Sequence, residues 1–232
     1  MITSPIGIVS GSGISLESLL DEHSTEYSFA QALGKEVATI TGHKGVFIEG
    51  HCGDVPILLQ SGRMHFYEGH EYATVNQTVD FMHQQGVQSV IYTNAAGGLK
   101  PNMQPGDLMI ADTLALWPCQ RWPKHPSELK TDILLEGCDH RGTYTWVHGP
   151  CYETQSEIQA LQASKSHAVG MSTAPELSRC HELGIRGGSI SVITNNCCAP
   201  QVLTHEHVLE MAETASERIC EIIRSSLKSI NT

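Results

Sequence analysis

The chain has 232 residues, enough for one large domain whose core needs neither disulfides nor metal to hold it. Charged residues make up only 17%, below the ~25% usual for soluble domains, which excludes disorder driven by charge and leaves surface for subunit contacts. With 14 Lys/Arg against 25 Asp/Glu the net charge is −11 and no basic cluster occurs, so no nucleic-acid partner is expected and any bound anion must be held by aimed local donors.

The elements follow in chain order. Residues 6–10 are an apolar run opening into Gly11-Ser12-Gly13, the pattern of a buried strand ending in a tight loop. Residues 45–48 and 55–60 flank Gly53-Asp54 and predict a hairpin. Residues 72–85 have helical character, and 89–93 predict a second buried strand ending at Asn94-Ala95-Ala96-Gly97-Gly98. Residues 108–114 alternate like a strand, and 117–140 are irregular and rich in Pro. Then come a strand over 144–148, helices over 153–164 and 174–183, a strand over 188–194 and one long amphipathic helix over 204–228. Strands alternating with helices predict an α/β protein, a single domain over 1–232 with a central mixed, mostly parallel β-sheet flanked by helices.

Of the 8 cysteines, Cys197 and Cys198 are adjacent, and neighbours seldom bridge each other. There is no apolar stretch long enough to span a membrane, and no charged-then-apolar segment precedes the first strand. A cytoplasmic protein with reduced thiols and no membrane partner is therefore expected. No CxxC or HExxH spacing occurs, and His205-Glu206-His207 is too weak a pattern for a metal, so none is expected.

Ligands in open α/β sheets lie beyond the carboxyl ends of the strands, and here those ends are Gly-rich or polar. Besides the two already named they carry Ser61-Gly62-Arg63 followed by His65, Tyr67 and Glu68, then Gly149-Pro150-Cys151-Tyr152-Glu153, Gly170-Met171-Ser172 and Thr194-Asn195. Each has a plain structural reading. Gly11-Ser12-Gly13 serves a turn as well as a nest of N–H groups for an oxyanion, Glu153 suits the first turn of a helix, and Asn195 suits a turn. Arg63 in an Arg-poor chain favours an anion contact slightly. Taken together the strand ends describe a polar, backbone-rich pocket for a small ligand.

Read in order, these segments resemble the trimeric family of purine nucleoside phosphorylases. The resemblance rests on Gly11-Ser12-Gly13, the stretch from Gly62 to Gly69, Thr93-Asn94-Ala95-Ala96-Gly97-Gly98, Gly149-Pro150-Cys151-Tyr152-Glu153-Thr154, Ala168-Val169-Gly170-Met171-Ser172-Thr173 with Pro175-Glu176, Ile193-Thr194-Asn195, and His205. It covers nearly the whole chain. It implies a phosphate site at Ser12, Arg63, His65, the backbone of Ala95, and Ser172, and ribose contacts from Tyr67, Met171 and His205. It implies base contacts from Tyr152, Glu153 and Asn195, with Asn195, Glu153 and His65 as the catalytic groups. It further implies a homotrimer, with inorganic phosphate as co-substrate and no other cofactor. The reaction implied is reversible phosphorolysis of purine nucleosides.

The base pair of residues favours inosine and guanosine. A 6-oxopurine offers N1–H to the Glu153 carboxylate and takes an N–H from Asn195 at N7 or O6. Adenine presents an unprotonated N1 and an N6 donor, so buried groups would be left unpaired at ~1–3 kcal/mol each. The resembling methylthioadenosine phosphorylases typically carry Asp at this position. A methylthio-nucleoside phosphorylase and a non-catalytic nucleoside binder are the alternatives; His205 suits a 5′-hydroxyl better than a thioether, and a mere binder needs no phosphate site. The segment between Asn94 and Tyr152 is shorter than the family's, and no residue aligns with the aromatic lid the family donates across its subunit interface. Trp117 and Trp122 are the candidates to replace it, and Asn196-Cys197-Cys198-Ala199-Pro200 is an unusual loop after the key Asn.

Overall fold

The run Ile6–Ser10 forms strand β1, buried at every position, and its side chains alternate between two cores. Ile6 and Ile8 join one cluster, Val9 the other, because apolar layers cover both faces of the sheet. In the computed structural model, which describes residues 4–34, 44–117, 128–199 and 205–230, ten strands form a single sheet. The remaining strands are β2 (Glu22–Ser28), β3 (Val46–Cys52), β4 (Val55–Ser61), β5 (Ser89–Gly98), β6 (Leu108–Leu116), β7 (Glu128–Lys130), β8 (His140–Trp146), β9 (Ala168–Gly170) and β10 (Arg186–Asn196). The helices are α1 (Phe29–Leu33), α2 (Tyr72–Val75), α3 (Gln77–Gln84), α4 (Gln155–Ala163), α5 (Ala174–Glu182), α6 (His205–Thr214) and α7 (Ser216–Ile230).

The centre is parallel. β4, β1, β5 and β10 run side by side in one direction, and β6, β8 and β9 are parallel to one another. Antiparallel pairs join β10 to β6 and β5 to β9, so these five strands close on themselves as a ring. The hairpin β3–β4 and the outer strand β2 extend the sheet on the other side. β2 was invisible in the sequence because Glu-His-Ser-Thr-Glu-Tyr-Ser lacks an apolar face; it is an exposed edge, where polar residues discourage further pairing.

Three expectations are corrected. The region 72–85 is two helices, because Asn76 donates its side-chain amide back to the Tyr72 carbonyl at 3.0 Å and competes with the backbone ladder. The final helix is broken at Ala215. There the Thr214 and Ser216 hydroxyls bond back to the carbonyls of Glu210 and Ala212, and Ser216 also receives the Ser15 N–H at 3.0 Å. Most important for the site, the strand at 89–93 does not stop at Asn94: β5 continues through Gly98, paired with β10 and β9. The Gly-rich segment is pleated backbone, not loop.

Candidate functional site

The Gly-Ser-Gly loop after β1 is squeezed between β5 and α6. A Cβ at position 11 would lie 2.6 Å from the Thr93 carbonyl oxygen; one at 13, where φ is +73°, would lie 2.7 Å from that of Leu209. Only glycine fits both positions, and the loop delivers Ser12 to a cavity of about 280 Å³. β5 contributes Asn94, Ala95 and Gly97 to that cavity from the middle of a strand. On β10 the register slips between Ile193 and Asn195, so Thr194 is an extra residue. Such a bulge re-aims the following side chain, and Asn195 lines the cavity beside Gly97.

The segment leaving β4 brings in Arg63, His65 and Tyr67, and the loop after β9 brings Met171 and Ser172. The connection into α4 brings Tyr152 and Glu153. The structure thus gathers Ser12, Arg63, His65, Tyr67, Ala95, Tyr152, Glu153, Met171, Ser172 and Asn195 around one cavity. Of the expected site residues only His205 is not placed: it begins α6, and its side chain lies outside the described residues. Trp122 and Pro200 also lie outside them. Trp117 lines a neighbouring hollow that shares Tyr152 and Glu153 with the main cavity, and it packs against the small apolar cluster of Leu99, Ile158 and Leu161.

Arg63 and His65 are both held by carboxylates. Arg63 is 1% exposed and places Nε and Nη2 on Glu176 Oε1 at 2.9 and 2.5 Å. Its Nη1 donates to the Thr93 carbonyl and to Thr173 Oγ1, at 3.2 and 2.9 Å. Glu68 Oε1 accepts from the His65 backbone N–H at 2.9 Å and lies 2.7 Å from His65 Nδ1, while the His65 ring stacks on Tyr67 with centroids 4.8 Å apart. Burial, and then the Glu68 charge, push the Tyr67 hydroxyl up to about 12, so it stays a neutral donor.

Thr173 is the strained point of the site. Its φ and ψ are 75° and −50°, and the Ala174 N–H reaches back to the Ser172 carbonyl at 2.9 Å, closing a γ-turn of positive φ. Its fully buried hydroxyl oxygen accepts from Arg63 and, at 3.0 Å, from Asn94.

At the other side of the cavity Glu153 is held above its ordinary value by burial, the Glu157 charge adding to it. Asn195 is 7% exposed; Thr194 Oγ1 donates to its Oδ1 at 3.1 Å and its Nδ2 donates to Cys197 Sγ at 3.3 Å. Tyr152, 43% exposed, stands at the rim.

Sequence reasoning gave no role to Glu176, Thr173, Asn94 or Cys197. Pro175-Glu176 was visible as a motif, but nothing local says that its carboxylate reaches across to Arg63. The positive φ of Thr173 has no sequence signal at all, since β-branched residues are disfavoured there. Among the described residues no group of three His, Cys, Asp or Glu could hold a metal ion, and no helix is long and apolar enough to cross a membrane. Chemically, the side lined by Ser12, Arg63 and Ser172 can hold an oxyanion, and the Glu153–Asn195 side offers one acceptor and one donor to a flat polar ring.

Residues 5–121 and 139–228 match the model of the Phosphorylase superfamily. The chain is 32% identical to purine nucleoside phosphorylase 1 of Bacillus subtilis over 95% of its own length and 90% of the relative's. It is 30% identical to the purine nucleoside phosphorylase of Anopheles gambiae, covering 97% of this chain and 73% of that one. Among solved structures, a schistosome purine nucleoside phosphorylase in complex with hypoxanthine is similar with a TM-score of 0.82 at 25% identity, covering 99% of this chain and 92% of that one.

Proposed function

Since the chain belongs to the Phosphorylase superfamily, with purine nucleoside phosphorylases among its relatives, we propose that it is a pentosyltransferase that cleaves 6-oxopurine nucleosides with inorganic phosphate. Inosine and guanosine, or their deoxy forms, yield the free base and (deoxy)ribose 1-phosphate, and the reaction is reversible. The observation that carries this reading is a single cavity lined by Ser12, Arg63, Ala95 and Ser172 together with Glu153 and Asn195. Anion donors and a purine-edge pair in one cavity serve a reaction that moves the ribosyl group from a purine to phosphate.

In the proposed reaction, phosphate sits on Ser12, Arg63, His65, Ser172 and the Ala95 backbone, with Tyr67 and Met171 against the ribose. The C1′–N9 bond breaks, its electron pair flows into the purine, and a phosphate oxygen bonds to the cationic C1′. The phosphate charge stabilises that cation electrostatically and is itself the nucleophile, held in place by the site. Glu153 accepts N1–H, and Asn195 donates to N7 or O6, where negative charge grows. His65, its Nδ1 engaged by Glu68, meets phosphate through Nε2. Tyr152 covers the base from the rim, and His205 reaches the 5′-hydroxyl. No cofactor beyond phosphate as co-substrate enters the scheme.

The hypoxanthine complex of the schistosome relative supports the base assignment. The family resemblance and the low charge content support a homotrimer, which light scattering would test, and the composition supports a cytoplasmic setting. The deciding experiment measures base release from inosine, guanosine and adenosine with and without phosphate. Phosphate-dependent release from the first two, with adenosine nearly inert, is expected. Release without phosphate would make the protein a hydrolase.

A further inference from the structure

Cys197 has no part in the reaction above, yet it lines the same cavity, two residues beyond Asn195. It is 8% exposed, and its backbone N–H is fixed to the Gly98 carbonyl at 2.8 Å. The sulfur occupies space that exists only because residue 97 is glycine: a Cβ there would lie 2.6 Å from Sγ and 3.5 Å from Asn195 Nδ2. Burial, with the Glu153 charge adding to it, pushes the thiol up to about 12, so the sulfur is neutral, unreactive and able to accept a hydrogen bond.

An asparagine amide recognises a purine by the end it presents. Turned one way it donates Nδ2–H to O6 or N7; turned by 180° it offers Oδ1 to the amino group of a 6-aminopurine. Left unrestrained, Asn195 could serve either base. Here its two ends are tied on opposite sides, Oδ1 by the Thr194 hydroxyl and one Nδ2 hydrogen by Cys197 Sγ. Flipping the amide would set Oδ1 against a thiol, a weak donor, and would turn the Thr194 hydroxyl, which also lies 3.4 Å from the Ala96 carbonyl oxygen, from donor to acceptor.

We propose that Cys197 is a specificity-determining positioning residue: with Thr194 it holds the Asn195 amide in the orientation whose remaining Nδ2 hydrogen faces the base, and so favours 6-oxopurines over 6-aminopurines. The inference rests on the 6-oxopurine reading of the site and deepens it.

Its test is the affinity of the free bases hypoxanthine and adenine, measured by calorimetry on wild type, Cys197→Val, Cys197→Ala and Cys197→Ser, beside steady-state kinetics with inosine and phosphate. Valine removes the acceptor at similar volume, and alanine guards against overpacking at Gly97. Losing one hydrogen bond of this strength is expected to weaken hypoxanthine binding about three- to ten-fold, to lower the hypoxanthine-to-adenine ratio by about the same factor, and to move the phosphate KM by less than about two-fold. Serine, which keeps an acceptor, is expected to restore most of the preference. If valine and alanine leave the ratio within about two-fold of wild type, or weaken both bases equally, the sulfur only packs and the proposal is overturned. A wild type that prefers adenine overturns it together with the base assignment. A wild type that binds hypoxanthine selectively but does not cleave inosine with phosphate sinks the proposed reaction instead, and the base ratios still decide the role of Cys197.

Discussion

Arg63 and Glu176, 113 residues apart in the chain, form an ion pair whose side chains are 1% and 4% exposed. The guanidinium is gripped from behind by one carboxylate oxygen, which sets its plane before any ligand arrives. Removing either partner leaves a buried, unpaired charge, a loss of about 3–5 kcal/mol, whereas replacing both with apolar residues is often neutral.

Arg63→Ala is therefore expected to lose both stability and phosphate affinity, and the double variant Arg63→Met/Glu176→Leu separates the two. The pair should recover most of the stability in urea denaturation while its phosphate KM stays raised at least about ten-fold, the loss typical of a charge-assisted contact. If the KM for nucleoside rises as much as that for phosphate, Arg63 serves structure alone.

Thr173 gives a second separation of packing from chemistry. Thr173→Val deprives the Arg63 and Asn94 side chains of a shared acceptor; at about 1–3 kcal/mol per unsatisfied buried group, a loss of about 2–4 kcal/mol is expected. Thr173→Ser keeps the oxygen and should lose under about 1 kcal/mol. Denaturation midpoints for the two variants check this; equal losses would show that the methyl group, not the hydroxyl, is what the γ-turn needs.

Asn195→Asp exchanges a donor for an acceptor at the proposed purine edge. The adenosine-to-inosine ratio of kcat/KM is expected to rise about ten- to a hundred-fold, since each mismatched buried pair is worth about 1–3 kcal/mol. An unchanged ratio means that base choice is made elsewhere.

Glu153 makes the site sensitive to acid in two opposite senses. Burial raises its pKa, so its carboxyl takes up a proton at a pH above the usual glutamate range. Accepting N1–H requires the carboxylate, so the Kd for hypoxanthine should rise as pH falls through that raised midpoint. In the empty protein the sign reverses: the raised folded-state pKa contributes stability that is present below the unfolded-state value and lost as pH rises through the folded one. Glu153→Gln should flatten both profiles. Calorimetric titrations and melting curves from pH 4 upward follow the two effects, and a wild-type Kd without an acid limb would remove Glu153 from N1.

Local pattern carried much of this protein. The five-residue run of β1, the hairpin around Gly53-Asp54 and α5 are where periodicity and turn residues place them. All but one of the expected site residues converge, because motifs at successive strand ends must meet where parallel strands lie side by side. The Gly-rich stretch from Asn94 lies beyond the strand that the sequence predicts over 89–93, for an equally physical reason. Glycine marks close approach as well as turning, and here the approach is of Cys197 and Ile193 to a continuous strand.

What the chain encodes by itself is thus the kind of groups on the site, the acceptor at Glu153, the amide at Asn195 and the cation at Arg63. Their aim was decided only by the tertiary structure. The ring closed by β10, the bulge at Thr194, the strained turn at Thr173 and the grips of Glu176 on Arg63 and Cys197 on Asn195 all join parts of the molecule through space or through backbone torsions. Side-chain chemistry is a property of the residue. Orientation is a property of the neighbours that pack against it, and most of those neighbours are far away in sequence.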